Sequence, residues 1–254
     1  MRTILKITVL GLIAIVAQAQ EEETHHHHHH HHHDIDVQKM DGEDESTHTP
    51  SNVQGGCTLG NVIWNGAGNC QTSYIEGLSR QIADEMGALG VRFASLQGHG
   101  GIDWSGCSGF MNADALSSLD RLTSQHGQIR LSSAWRSAAA QYLLYCFKVY
   151  GRCGQTLPVA KPGTSNHEGG VAIDVPNHGY WQPILTSNGW RYPLPSADPV
   201  HFEFGSGASE YARKNLLAFQ RLWNRHNPGR RIAEDGIYGH DTAGALFDSP
   251  CNGW

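Results

Sequence analysis

Apolar side chains recur at steps of three and four from Ser73 to Leu89, where Ile75, Leu78, Ile82, Met86 and Leu89 share one face. That period predicts an amphipathic helix. A second helix is expected over Ala113–Leu122 and a third over Ala138–Val149, with Ile129–Ser133 between them reading as a strand. Further on, the period changes to two. Val171, Ile173 and Val175 alternate with Ala172 and Asp174, and Phe202 and Phe204 alternate with His201 and Glu203. In a strand such alternation sends one set into the core and the other to a polar face. Tyr211, Leu216, Phe219 and Trp223 mark a last long helix that ends before Pro228. Helices before and between short strands predict an α+β domain, an antiparallel sheet with flanking helices, plus a small C-terminal helical segment. A Gly-rich loop from Gly98 to Gly109 follows the first helix and is placed to border a cleft.

The polar faces of the two alternating strands change the picture from architecture to chemistry. His167, Asp174 and His201 make a set of two imidazoles and one carboxylate, which suits Zn²⁺ with a fourth position left for water. Asp198 lies three residues before His201, where a short turn into a strand brings it beside that water as a general base. Gly169 and Gly170 can take the backbone angles that turn His167 back over the sheet. The ligands come from a sheet and its entry loop. Position 171 is Val where a helical H-E-x-x-H motif beginning at His167-Glu168 needs its second histidine.

Four ordered elements carry a family resemblance. Ser165-x-His167-x-x-Gly170-x-Ala172-x-Asp174 and Asp198-x-x-His201 resemble the two signatures of the VanY-like zinc D-Ala-D-Ala carboxypeptidases. Ser133-Ala134-Trp135-Arg136-Ser137 with Gln141 is similar to the S-G-Y-R-S-x-x-x-Q segment of that family, and WQPILTSNGW from Trp181 to Trp190 resembles its helix and Gly-Trp turn. The similarity runs from about residue 111 to residue 204.

The resemblance implies one zinc ion held by His167, Asp174 and His201, with Asp198 as the base that activates its water. Arg136 is implied as the substrate-binding and charge-stabilising residue, and a guanidinium suits either a scissile carbonyl oxygen or a terminal carboxylate. Ser165 would donate a hydrogen bond near the substrate, and Glu203 would orient a ligand imidazole from behind. The implied fold is that shared by these carboxypeptidases and the hedgehog signalling domain. The implied activity is hydrolysis of peptidoglycan stem peptides, first as a D,D-carboxypeptidase and alternatively as an endopeptidase. Many relatives carry Glu where this chain has Asp198. A non-catalytic, hedgehog-like binding module is the alternative from a different class.

Residues 1–19 have basic Arg2 and Lys6, the apolar run ITVLGLIAIV and Ala17-Gln18-Ala19, the pattern of a secretory signal peptide too short to span a membrane. Residues 20–56 hold nine consecutive histidines, His25 to His33, and nine carboxylates against Lys39 alone, a composition that predicts disorder. The run reads equally as an expression tag or a metal-gathering tail. The chain carries a net charge of −6, and the tail accounts for its acidity, so residues 57–207 form a near-neutral peptidase domain with no basic stripe for nucleic acid. A secreted monomer is expected. Six cysteines allow fifteen pairings; local pairing would join Cys57 to Cys70 and Cys146 to Cys153, leaving Cys107 for Cys251. In residues 208–254 the pattern FQ…DGIYG…T…AL resembles the first two helices of a helical peptidoglycan-binding domain, against a plainer reading as a helical cap.

Overall fold

A computed structural model describes residues 56–65, 71–154 and 158–254. The expected signal peptide and all of the acidic tail but Gly56 lie outside these residues, as does Cys70. The described residues fall within one compact unit. Its first helices are α1 (Leu59–Asn65), a 3-10 turn Thr72–Ile75, and α2 (Glu76–Ala88), which buries Leu78, Ile82 and Met86 as the sequence period requires. Strands β1 (Phe93–Ser95), β2 (Ile102–Asp103) and β3 (Phe110–Asn112) precede α3 (Ala113–His126), whose N-terminus is capped by the Asn112 side chain accepting from the amides of Asp114 and Ala115. β4 (Ile129–Arg130) leads to α4 (Ala138–Val149), capped by Ser137.

A second 3-10 turn, Asn166–Gly169, enters β5 (Ala172–Asp174). Then come α5 (His178–Thr186), β6 (Trp190–Arg191) and β7 (His201–Phe204). The long α6 (Ala208–His226) and α7 (His240–Asp248) complete the chain. β7 is the central strand of an antiparallel sheet in the order β5-β7-β6. Two further pairs stand apart: β1 with β3 is antiparallel, and β2 with β4 is parallel. The architecture is thus mixed α+β with small sheets. The predicted strand Ile129–Ser133 divides between two partners. Its first half pairs with β2, whereas Ser132 and Ser133 cross to the free edge of β5, where Ser132 N donates to Asp174 O at 2.9 Å and Asp174 N to Ser133 O at 2.9 Å.

The core has two parts. One packs α3 against the sheet through Leu116, Leu119, Ile173, Val175, Trp181, Trp190 and Phe202. The other gathers residues from α1, α2, α4, α6 and α7. Ala134 belongs to the first part and Trp135 to the second, so the segment that carries Arg136 runs along their seam.

Among the described residues, one core runs across the expected boundary after residue 207. Leu216, Phe219 and Trp223 of α6 and Leu246 of α7 share one core with Leu59, Leu78 and Leu143. The FQ…DGIYG…T residues are an internal network. Gln220 Oε1 accepts from the amides of Asp235 and Gly236 at 3.0 and 2.7 Å, and its Nε2 donates to Asp235 Oδ1, Ile237 O and Thr242 Oγ1.

The cysteine pairing differs from the local one expected. Cys57 is bonded to Cys251, Cys153 is in a disulfide, and Cys107 and Cys146 are free. The first bond joins segments already held together: Leu59 N donates to Ser249 O at 3.0 Å and Cys251 N to Cys57 O at 2.9 Å. Among the described residues, no helix is long and apolar enough to cross a membrane.

Candidate metal centre

Strand register brings the predicted ligands together. Asp174 is directly opposite His201 in the β5–β7 pair, and Ala172 is opposite Glu203, so the small side chain leaves room beside that carboxylate. His167 arrives from the 3-10 turn. The turn can close only because Gly170 sits at φ +69°, and a Cβ there would lie 2.7 Å from the Phe93 ring and 2.9 Å from the Asn112 amide.

Three atoms converge. His167 Nε2 and His201 Nδ1 are 3.1 Å apart, and Asp174 Oδ1 lies 3.3 Å from the first and 3.1 Å from the second. The opposite nitrogen of each imidazole is engaged from behind. His167 Nδ1 donates to the Ala134 carbonyl at 2.7 Å, and His201 Nε2 donates to Glu203 Oε1 at 3.2 Å. With those protons assigned, the two inward nitrogens carry lone pairs, and both point at the same carboxylate oxygen. Three electron-rich atoms facing one another in a buried place fit a cation. His167, Asp174 and His201 can therefore hold a metal ion.

The electrostatics of these side chains point the same way. Burial alone would raise the Asp174 carboxyl, but His167, His201 and Arg136 outweigh it and hold the group well below the usual carboxylate range. His167 is pushed down from the ordinary histidine value by burial, assisted by Arg136. Burial also acts to lower His201, but hydrogen bonds and charge from Asp174 and Glu203 prevail and raise it. Asp198 heads the turn into β7, where its carbonyl accepts from His201 N at 3.1 Å. Its carboxyl is raised by burial and by repulsion from Asp174, against attraction from His201, His167 and Arg136. The carboxyl thus lies within the field of the three convergent residues.

Arg136 is held on three sides. Its Nε donates to Ser133 Oγ at 3.2 Å, one terminal nitrogen donates to Gln141 Oε1 at 2.9 Å, and the other lies 3.9 Å from Asp174 Oδ2. Gln141 is fixed in turn by donating to the Ala160 carbonyl at 2.7 Å. The Arg136 side chain is only 19% exposed, and its guanidinium lies beside Asp174. Ser165 is buried and opens the 3-10 turn, its N–H donating to Glu168 Oε2 at 3.1 Å. Glu168, fully buried, also accepts from Gly163 N at 2.8–2.9 Å; burial lifts its carboxyl to about 8 despite those donors and Arg136.

Several residues at the site had no sequence signal of their own. The Ala134 carbonyl fixes His167, and a backbone group leaves no mark in residue type. Arg191 reaches Glu203 Oε2 at 2.8 Å, and Asn166 donates to Glu203 Oε1, so the carboxylate behind His201 is itself anchored. Alternation in β7 could have flagged the first of these, because Arg191 is opposite Glu203 in register. Asn215, from α6, binds the backbone of Arg136 and Glu168 and could not have been placed by local pattern. In comparisons with family models, curated proteins and solved structures, the chain gives no match.

Proposed function

We propose that this chain is a secreted, zinc-dependent peptidase that hydrolyses peptidoglycan stem peptides, as a D,D-carboxypeptidase, with the carboxypeptidase/hedgehog type of fold. The observation that carries the proposal is the three-atom convergence with both imidazoles held from behind. Zinc bonds of about 2.0–2.1 Å in a tetrahedron separate neighbouring ligand atoms by ~3.3 Å, and the separations here are 3.1–3.3 Å. Two nitrogens and one carboxylate oxygen are also a donor set that zinc favours when one position is kept for reaction.

When bound, zinc would polarise a peptide carbonyl and make a water more acidic. Asp198 then serves as the base that takes the proton of the attacking water and delivers it to the leaving amine. Arg136, held by Ser133 and Gln141, offers its remaining donors to the carbonyl oxygen as charge develops there. Glu203 keeps His201 in the tautomer that presents Nδ1. Ser165 supports binding through the turn that it opens. A binding module would need the metal ligands alone. A carboxyl in the field of those ligands and a guanidinium beside Asp174 favour turnover. Secretion is supported by the signal-like leader together with a disulfide, which fits an oxidising compartment.

The test is incubation of zinc-loaded protein with defined muropeptides and mass spectrometry of the products. Loss of a single terminal D-Ala is expected. A cut within the stem would assign endopeptidase activity instead, and intact substrate at one zinc per chain would leave the binding module as the better reading.

A further inference from the structure

The two segments that carry Arg136 and His167 are far apart in sequence, and a third segment locks them together. Arg136 N donates to His167 O at 3.1 Å, and Trp135 Nε1 donates to Glu168 O at 3.1 Å. Into this junction α6 inserts Asn215, which is 0% exposed. Its Nδ2 donates to Arg136 O at 3.0 Å and to Glu168 O at 2.9 Å, while its Oδ1 accepts from Ala138 N, at the head of α4, at 2.7 Å. A primary amide supplies two donors and an acceptor from one rigid plane, and all three functions are used here. Anchoring α6 does not require this arrangement, because Ala212, Leu216, Ala218 and Phe219 already bury its apolar face.

We propose that Asn215 is a positioning residue that holds Arg136 in register with His167, so that the guanidinium and the metal ligands face the same substrate atom. The proposal rests on the peptidase reading for its effect on rate, but the placement of Arg136 is measurable without it. His167 and His201 are oriented by Ala134 and Glu203, not by Asn215. A change at Asn215 is therefore expected to displace the Arg136 backbone while both ligand rings keep the hydrogen bonds that orient them. A displacement near 1 Å in a catalytic constellation costs on the order of a hundredfold in rate.

The test compares Asn215→Asp, which keeps size and acceptor but sets a carboxylate against two carbonyls, with Leu222→Ala, a core truncation on the same helix. The Nε–H resonance of Arg136, identified by its loss in Arg136→Lys, is followed by NMR in the metal-free proteins; zinc content and the kinetics of stem-peptide hydrolysis are followed in the loaded ones. Asn215→Asp is expected to shift or broaden the Arg136 signal, to keep about one zinc per chain, and to lower kcat on the order of a hundredfold with little change in KM. Leu222→Ala is expected to lose thermal stability with the Arg136 signal and kcat unchanged. Should Asn215→Asp not fold, Asn215→Ser is read in the same way, since its smaller side chain leaves space for a water among the same groups. An Arg136 signal in the Asn215 variants that matches Leu222→Ala, or failure of both Asn215 variants to fold, overturns the proposal. Absence of hydrolysis by the parent protein defeats the peptidase reading and leaves the NMR result to decide the placement of Arg136.

Discussion

A chain ended after Gly207 should not fold, although every residue proposed for catalysis precedes that point. Leu216, Phe219 and Trp223 are buried to within 2% in the core that they share with α1, α2 and α4. At ~1.5–3 kcal/mol for burial of each large apolar side chain, these three alone contribute roughly 5–9 kcal/mol. The Cys57–Cys251 bond is lost as well. It spans 194 residues, and closing a loop of that length restricts the unfolded chain by about 5 kcal/mol in the loop-entropy account. The total reaches the whole stability of an ordinary domain, ~5–15 kcal/mol. The assay is thermal unfolding by circular dichroism with limited proteolysis and zinc content, against Cys251→Ser as a milder perturbation. That variant should stay folded with a melting temperature lower on the order of 10 °C. If the truncated chain melts cooperatively, keeps its zinc and cleaves small stem peptides, the C-terminal helices are not part of the catalytic core. Reduced sedimentation of that chain with insoluble sacculi would then identify them as a wall-binding appendage.

Asp198→Asn should retain one zinc per chain but lose ~10²- to 10⁴-fold in hydrolysis, because it removes a base without removing a ligand; near-parental turnover would assign the base elsewhere. Arg136→Lys keeps the charge but loses the fork, so kcat should fall with zinc retained if the residue acts at the developing oxyanion, whereas a change confined to KM would place it on a terminal carboxylate. Glu203→Gln should weaken zinc binding by roughly 10–100-fold, measured by competition with a chelator, and unchanged affinity would reduce Glu203 to a strand residue. In the metal-free protein, imidazole resonances should show His201 titrating above and His167 below the ordinary histidine value. Falling pH therefore protonates His201 first, and Glu203→Gln should bring its titration down; the opposite order would overturn the assigned hydrogen bonds.

The grouping of His167, Asp174 and His201 was legible because the sequence marks it locally. A period-two pattern places Asp174 and His201 on polar faces, and antiparallel register then makes them cross-strand neighbours. The helix expected over Ala138–Val149 forms over those residues, with Ser137 capping its N-terminus. The cysteine pairing was not legible, since the cost of closing a loop grows only with the logarithm of its length. Short spacing therefore gave Cys57 no decisive preference for Cys70 over Cys251, whereas the backbone bonds between residues 57–59 and 249–251 did.

The C-terminal segment shows a different kind of illegibility. FQ, DG and Thr242 resemble a wall-binding pattern, yet each has a structural use: Gln220 ties the turn at Asp235 and Gly236 to Thr242 at the start of α7. Gly236, at φ +68°, permits the close approach to Arg213. A motif that stabilises a helix–turn–helix survives in sequence whether or not the outer surface binds a ligand, so its presence alone cannot separate binding from packing. The same helix supplies Asn215 on its inner side, 79 residues from Arg136 and 47 from Glu168. Local patterns thus specify which atoms can meet at the centre, while the relative placement of Arg136 and His167 depends on a partner that only the folded chain brings near. Removing a ligand should abolish metal binding; removing the long-range contact should leave the metal in place and misalign the chemistry around it.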